Sequence, residues 1–273
     1  MRIWLKTLHV LTLTALACFT VGPFLWLLST ALKGRAENIF QYPPVLLPTR
    51  PTLGNFLEVA SVVPLGQYAL NSILVTVSSM IISLVVSSLA AYPLARMSFR
   101  GRGWVEALLA MTLLVPAPVL LIPLFLLISQ MQLMDTLPGV VLPFAVNAFG
   151  ILLMRNAFLA VPTELEEAAR LDGADSFTIF WRVALPLVTP SLATLALFDF
   201  VAIWGDFLWP LLVLKDPAHF TLSIGVANLA GTFSADWRLI AAGSVLTIVP
   251  ILAVFTWLQR YFVGDQAAGA VKG

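Results

Sequence analysis

Residues 164–190 read ELEEAARLDGADSFTIFWRVALPLVTP and hold five of the chain's 14 carboxylates: Glu164, Glu166, Glu167, Asp172 and Asp175. Catalysis finds no support among them, because no nucleophile in the chain has a plausible base at short range. Metal binding finds none either: His9 and His219 are far apart in sequence, without a neighbouring cysteine, and the single cysteine, Cys18, sits in an apolar run. What the spacing does support is a helix built to be presented. Thr163-Glu164-Leu165-Glu166 has the form of a capping box, with Glu166 reaching back to the first amides. Glu164, Glu166 and Glu167 complement the positive end of the helix dipole, and Glu166 can pair with Arg170 four residues on. Gly173 follows the last turn, where a left-handed residue is expected; Asp175 or Ser176 can cap a second short helix that Pro186 ends at about Leu185. Leu165, Ala168, Ala169 and Asp172 fall on one stripe with two methyl-sized side chains at its centre, so a partner can approach closely. An interfacial helix would want a cationic polar face and bulky anchors, and this one has neither; its acidity suits a basic groove on a soluble protein.

Polar residues inside apolar runs form a second set. Asp199 and Asp206 lie in one such run, seven residues apart on about the same helical face with Ile203 and Trp204 nearby. A carboxylate there must face protein or water. Trp204 could stack on a flat face of a solute while Asp206 accepts hydroxyl hydrogen bonds, or each carboxylate could bond another helix; both readings stay open. Asn71, Ser72 and Asn147 could bind a hydroxylated solute or hold helices together.

These residues must be positioned by a membrane protein. The chain has 273 residues, is 60% hydrophobic and 11% charged, and carries a net charge of +1, which excludes a nucleic-acid footprint. Charge gaps mark six all-α spans at about 9–30, 69–95, 106–130, 137–154, 191–214 and 239–259. The first reads as a retained span rather than a secretion signal, since its apolar run continues to residue 32. Pro116, Pro118 and Pro123 should kink or break the third. Placing both termini in the cytoplasm puts ten of the 15 lysines and arginines inside, with RMSFRGRG deciding the orientation, and residues 164–190 then face the cytoplasm. The longest loop, about 33–67, is too short to bury a core, and no internal repeat is visible.

Glu167-Ala168-Ala169, Asp172-Gly173-Ala174 and Leu185-Pro186 resemble the EAA loop of ABC-transporter permeases, with Val183 where isoleucine is usual. Asn71-Ser72, WGDFLWP over 204–210, and the tail from QRYFV to AGAVKG are similar to carbohydrate importers of the maltose-permease type. Gly205 stands where that subfamily usually has asparagine, which removes a polar group from the pathway and bears on substrate identity. The tail reads GDQAAGAVKG rather than the commoner GLTAGAVKG. The resemblance implies a six-span type I ABC importer transmembrane domain: a first helix and extracytoplasmic loop over 1–67, a core over 68–262 with its coupling loop at about 157–190, and a cytoplasmic tail over 263–273. It implies import of a sugar or sugar-like solute, coupled through Glu164, Glu166, Glu167, Ala168, Ala169, Arg170, Asp172, Gly173, Ala174, Leu185 and Pro186 to ATPase subunits. Asn71, Ser72, Asn147, Asp199, Trp204 and Asp206 are the candidate pathway. The implied partners are a second homologous permease, two ATPases that hold ATP and magnesium, an extracytoplasmic solute-binding protein and the lipid of a prokaryotic inner membrane. No G-x-x-x-x-G-K-[ST] loop occurs in the sequence, so energy must come from a partner or an ion gradient. Two other readings remain: an ion-coupled secondary transporter using Asp199 or Asp206, and a membrane scaffold that recruits a soluble partner.

Overall fold

The computed structural model describes residues 2–232 and 236–269, with side chains described over 6–231 and 236–259. Its elements are α1 (Arg2–Leu32), α2 (Gly54–Val62), α3 (Leu65–Arg96), α4 (Arg102–Thr112), α5 (Ala117–Gln130), α6 (Leu137–Ala145, ending in a 3₁₀ turn) and α7 (Ala148–Ala160). There follow α8 (Thr163–Leu171), α9 (Ser176–Leu187), α10 (Thr189–Trp204), α11 (Leu208–Val213), α12 (Leu222–Thr232) and α13 (Trp237–Gly269). Among the described residues there is no strand, as apolar backbone in lipid requires of anything but a closed barrel.

Among the described residues, three helices are long and apolar enough to cross a bilayer alone, over Lys6–Leu32, Leu65–Arg96 and Trp237–Gln259. Three bent helix pairs among the described residues have the length and composition of further spans when each pair is taken as one: α4 with α5 at 104°, α6 with α7 at 42°, and α9 with α10 at 75°. The break between α4 and α5 falls at residues 113–116 and ends at Pro116, with Pro118 in the first turn of α5; Pro123 sits inside α5 without ending it. The fifth span departs from the expected continuous run over 191–214. α10 has 16 residues, about 24 Å of rise, and stops at Trp204; residues 205–207 are non-helical before α11 begins. Asp206 therefore lies in the break, off the face that carries Asp199.

Two compact units can be distinguished. One comprises Met1–Gly66 and Ile224–Pro250. Its buried centre joins Ala31, Val59, Leu229, Leu239 and Ala242. The Asn55 side chain donates to the carbonyls of Ala31 (2.7 Å) and Lys33 (2.9 Å), closing the C-terminal end of α1. The other unit comprises Gln67–Ser223 and Ile251–Gly273. Its core gathers Tyr92, Met154, Phe158, Phe180, Ala184 and Leu195 from α3, α7, α9 and α10. Tyr92 meets Phe158 edge-on at 5.4 Å between centroids and Phe180 at 5.2 Å, so three helices converge on one aromatic ring.

Candidate functional site

α8 stands between the spans, and its C-terminal end is closed as the sequence expects. Gly173 takes φ +86°; its amide bonds the Arg170 carbonyl at 3.0 Å, and the Ala174 amide bonds that of Ala169 at 3.0 Å. That is the paired closure of a Schellman motif. Asp175 caps α9 by accepting from the Thr178 amide at 2.9 Å, and the hydrogen bonds from Thr178 hold its carboxyl below the usual range.

The other end corrects the sequence reading. Helix begins at Thr163 after Pro162, with no side-chain cap, so the capping box does not form. Glu166 turns away from its own helix end and is the one buried residue of α8. Its Oε1 lies 2.8 Å from Nε of Arg96 at the end of α3, and its Oε2 accepts from the Tyr92 hydroxyl at 3.2 Å. Nε and Oε1 are at ion-pair distance without a directed hydrogen bond between them. Arg170, the intrahelical partner expected from spacing, stands 3.9 Å away and half-exposed. Arg96 also donates through Nη2 to the carbonyl of Val161, in the link between α7 and α8. The outward surface of α8 carries Glu164, Leu165, Glu167, Ala168, Leu171 and Asp172, with Leu171 89% exposed; Ala169 and Ala174 are half-buried.

Pro186 does not end α9. Phe180–Ala184 form a π-helical turn in which the Leu185 amide bonds the Phe180 carbonyl, and helix continues through Leu187. The wider turn accommodates a proline ring that would clash with the carbonyl four residues back in a regular α-helix. Leu185 is half-buried on the core and Pro186 is exposed.

The candidate pathway residues divide into two groups. Asn71 donates to the carbonyls of Ala218 and Phe220, both at 3.0 Å, and Gln67 to Ala218 at 2.7 Å. The Ser72 hydroxyl accepts from the Leu222 amide at 2.7 Å. These groups hold the segment that leads into α12. Asn147 caps α7, accepting from the Phe149 amide at 3.0 Å, and donates to Asp199 Oδ1 at 3.1 Å. Asp199 is thus bonded to another helix, while its Oδ2 is buried without a hydrogen-bond partner. Trp204 is buried and stacked on Phe200 at 5.6 Å with 13° between planes, which gives its ring a protein partner on one face. Asp206 instead borders a cavity of about 300 Å³ with Leu121, Leu124, Phe144, Leu208 and Trp209. Residues that the sequence did not single out are Arg96, Tyr92, and the fully buried serines Ser79, Ser83 and Ser87 of α3, whose hydroxyls have no protein partner. The four-residue spacing of Ser79, Ser83 and Ser87, and that of Tyr92 and Arg96, was the available signal.

A chain of broken spans around buried polar groups, with an acidic helix, α8, outside every span, is a membrane transport subunit. It belongs to the family of binding-protein-dependent transport system inner membrane components, whose model matches residues 83–265. It is 35% identical, over 99% of its length and 96% of the relative's, to an arabinooligosaccharides transport system permease protein of Halalkalibacterium halodurans. It is 31% identical, over 98% and 94%, to a sulfoquinovosyl glycerol transport system permease protein of Agrobacterium fabrum. In structure it matches a chain of a bacterial ABC transporter that imports the acidic polysaccharide alginate, with a TM-score of 0.83 and 28% identity over 96% of this chain and 97% of that one. The fold is that of a type I ABC importer transmembrane domain, and the chain is an ABC permease subunit. Of the AGAVKG tail, the last four residues, 270–273, lie outside the described residues.

Proposed function

We propose that this permease imports a sugar or sugar-like solute, a disaccharide, oligosaccharide or glycosylated polyol, across the cytoplasmic membrane of a prokaryote. Both termini lie in the cytoplasm. It pairs with a second, homologous permease and receives solute from an extracytoplasmic binding protein. Two ATPase subunits, which hold ATP and magnesium, dock on α8 and drive alternating access. The observation that carries the coupling role is the division of α8. A single buried side chain, Glu166, faces the chain's own core, while Glu167, Ala168, Leu171 and Asp172 are offered outward around a tightly closed Gly173 turn. An outward face of carboxylates and small apolar groups, outside the spans, fits a soluble partner with a basic groove. The carbohydrate class is supported by the relatives' named solutes.

The test is reconstitution with the ATPases and the binding protein encoded alongside this chain. Vesicles are loaded with ATP at the α8 face and offered a labelled arabino-oligosaccharide or sulfoquinovosyl glycerol. Uptake that needs ATP and the binding protein is expected. Uptake that follows a proton gradient without the ATPases would overturn the reading.

A further inference from the structure

We infer that Arg96 and Glu166, with Tyr92, form a latch through which movement of α8 is passed to the second membrane span; this rests on the coupling role proposed above. α8 has one fully buried residue, Glu166, so this side chain carries a movement of the outer face furthest into the protein interior. There the carboxylate meets Arg96 Nε at 2.8 Å and the Tyr92 hydroxyl at 3.2 Å, both on the last turns of α3. The Arg96 and Glu166 side chains are only 8% and 3% exposed. The same guanidinium holds the Val161 carbonyl, so it fixes the link from α7 as well as α8. Tyr92 in turn packs against Phe158 of α7 and Phe180 of α9. A displacement of Glu166 therefore acts on α3 through charge, and on α7 and α9 through a ring.

A buried ion pair is a poor device for stability, since apolar side chains of like volume do as well or better. What it supplies is a fixed register that can be held or released as a unit, because leaving either charge unpaired in the interior is costly. A helix that must transmit a discrete movement, without being welded into the core along its length, has use for that property. α3 also carries Asn71 and Ser72, which hold the segment leading into α12, so a shift of α3 reaches both of its ends.

Arg96 and Glu166 are positioning residues, and their test needs a readout that loss of packing alone would not move. A Leu208→Cys reporter in a Cys18→Ser background borders the cavity with Asp206. In the complete reconstituted complex, its alkylation rate is measured with and without ATP. Co-purification of the ATPases is scored separately. Glu166→Ala is expected to keep the ATPases bound, while the ATP-induced change in alkylation rate falls at least about fivefold. Glu166→Gln, which can still accept from Tyr92, is expected to lose part of the response. An assembled Glu166→Ala complex with a full response overturns the latch. If that variant does not assemble, Glu166→Gln decides, and an unchanged response overturns it. If the parent complex itself shows no response to ATP, the coupling role of α8 fails first and the latch fails with it.

Discussion

Gly173 separates two reasons for a glycine at the end of α8. Its φ of +86° disfavours any side chain, and a Cβ built there meets no atom of this chain within 4 Å. Within the subunit, then, only backbone strain opposes substitution. For alanine in the left-handed region that strain is about 1–2 kcal/mol, whereas asparagine tolerates the conformation at lower cost. If strain were the whole story, Gly173→Asn would be the milder change. If the turn is pressed into a partner's cleft, the order reverses, because asparagine projects three more heavy atoms than alanine into space that this chain leaves empty. We expect Gly173→Ala to lower ATP-driven uptake by no more than about tenfold, the equivalent of about 1.4 kcal/mol, and Gly173→Asn to lower it further and to weaken co-purification of the ATPases. Thermal unfolding of the isolated subunit should rank the variants the other way, with alanine the less stable. An asparagine variant that transports as well as the alanine variant would refute docking at this turn.

Three further outcomes follow from the geometry. Asp135 accepts from the amides of Lys215 (2.8 Å) and Asp216 (3.0 Å), which pull its carboxyl down to about 2. A depressed carboxyl stabilises above its unfolded value of 3.8 and stops doing so as pH falls through the folded one, so the thermal-stability advantage of the parent over Asp135→Asn should shrink between about pH 4 and pH 2. Asp199→Leu leaves the Asn147 amide without its acceptor and should cost about 1–3 kcal/mol in thermal unfolding, while Asp199→Asn, which still offers an oxygen, should cost less than about 1 kcal/mol. At Gly150 a Cβ would come 2.7 Å from Ser87 Oγ and 3.1 Å from Leu195 Cδ1, so Gly150→Ala should destabilise by about 1–3 kcal/mol, measured the same way, by forcing α7 off α3 and α10.

What the sequence made legible is what depends on neighbours a few residues away. The left-handed Gly173 and the Asp175 cap need only the residues of one turn, and both stand where spacing puts them. The break before Pro116 follows from proline chemistry alone. The readings that changed all turn on distant partners or on a choice between two local solutions. Glu166 satisfies a capping box in sequence, yet Arg96, 70 residues earlier, is buried beside it, and a guanidinium left unpaired there would cost more than a solvent-exposed cap contributes. Pro186 can stop a helix or be absorbed by a π turn, and only the burial of Phe180 and Ala184 against Tyr92 and Met154 favours continuing. Asp206 shares a face with Asp199 only while α10 stays helical; Gly205, with no side chain to lose entropy at a helix end, marks where it does not. The acidic cluster is therefore two devices in adjacent residues. Glu166 looks inward and fixes α8 to the membrane core, and Glu167 looks outward, so exchanging their fates would need a rotation of about 100°, one residue of α-helix. A one-residue insertion at Ala168 would leave Glu166 in place but rotate the Gly173 turn by that angle relative to the latch, and the expected result is weaker co-purification of the ATPases together with lost uptake, measured in the same vesicles.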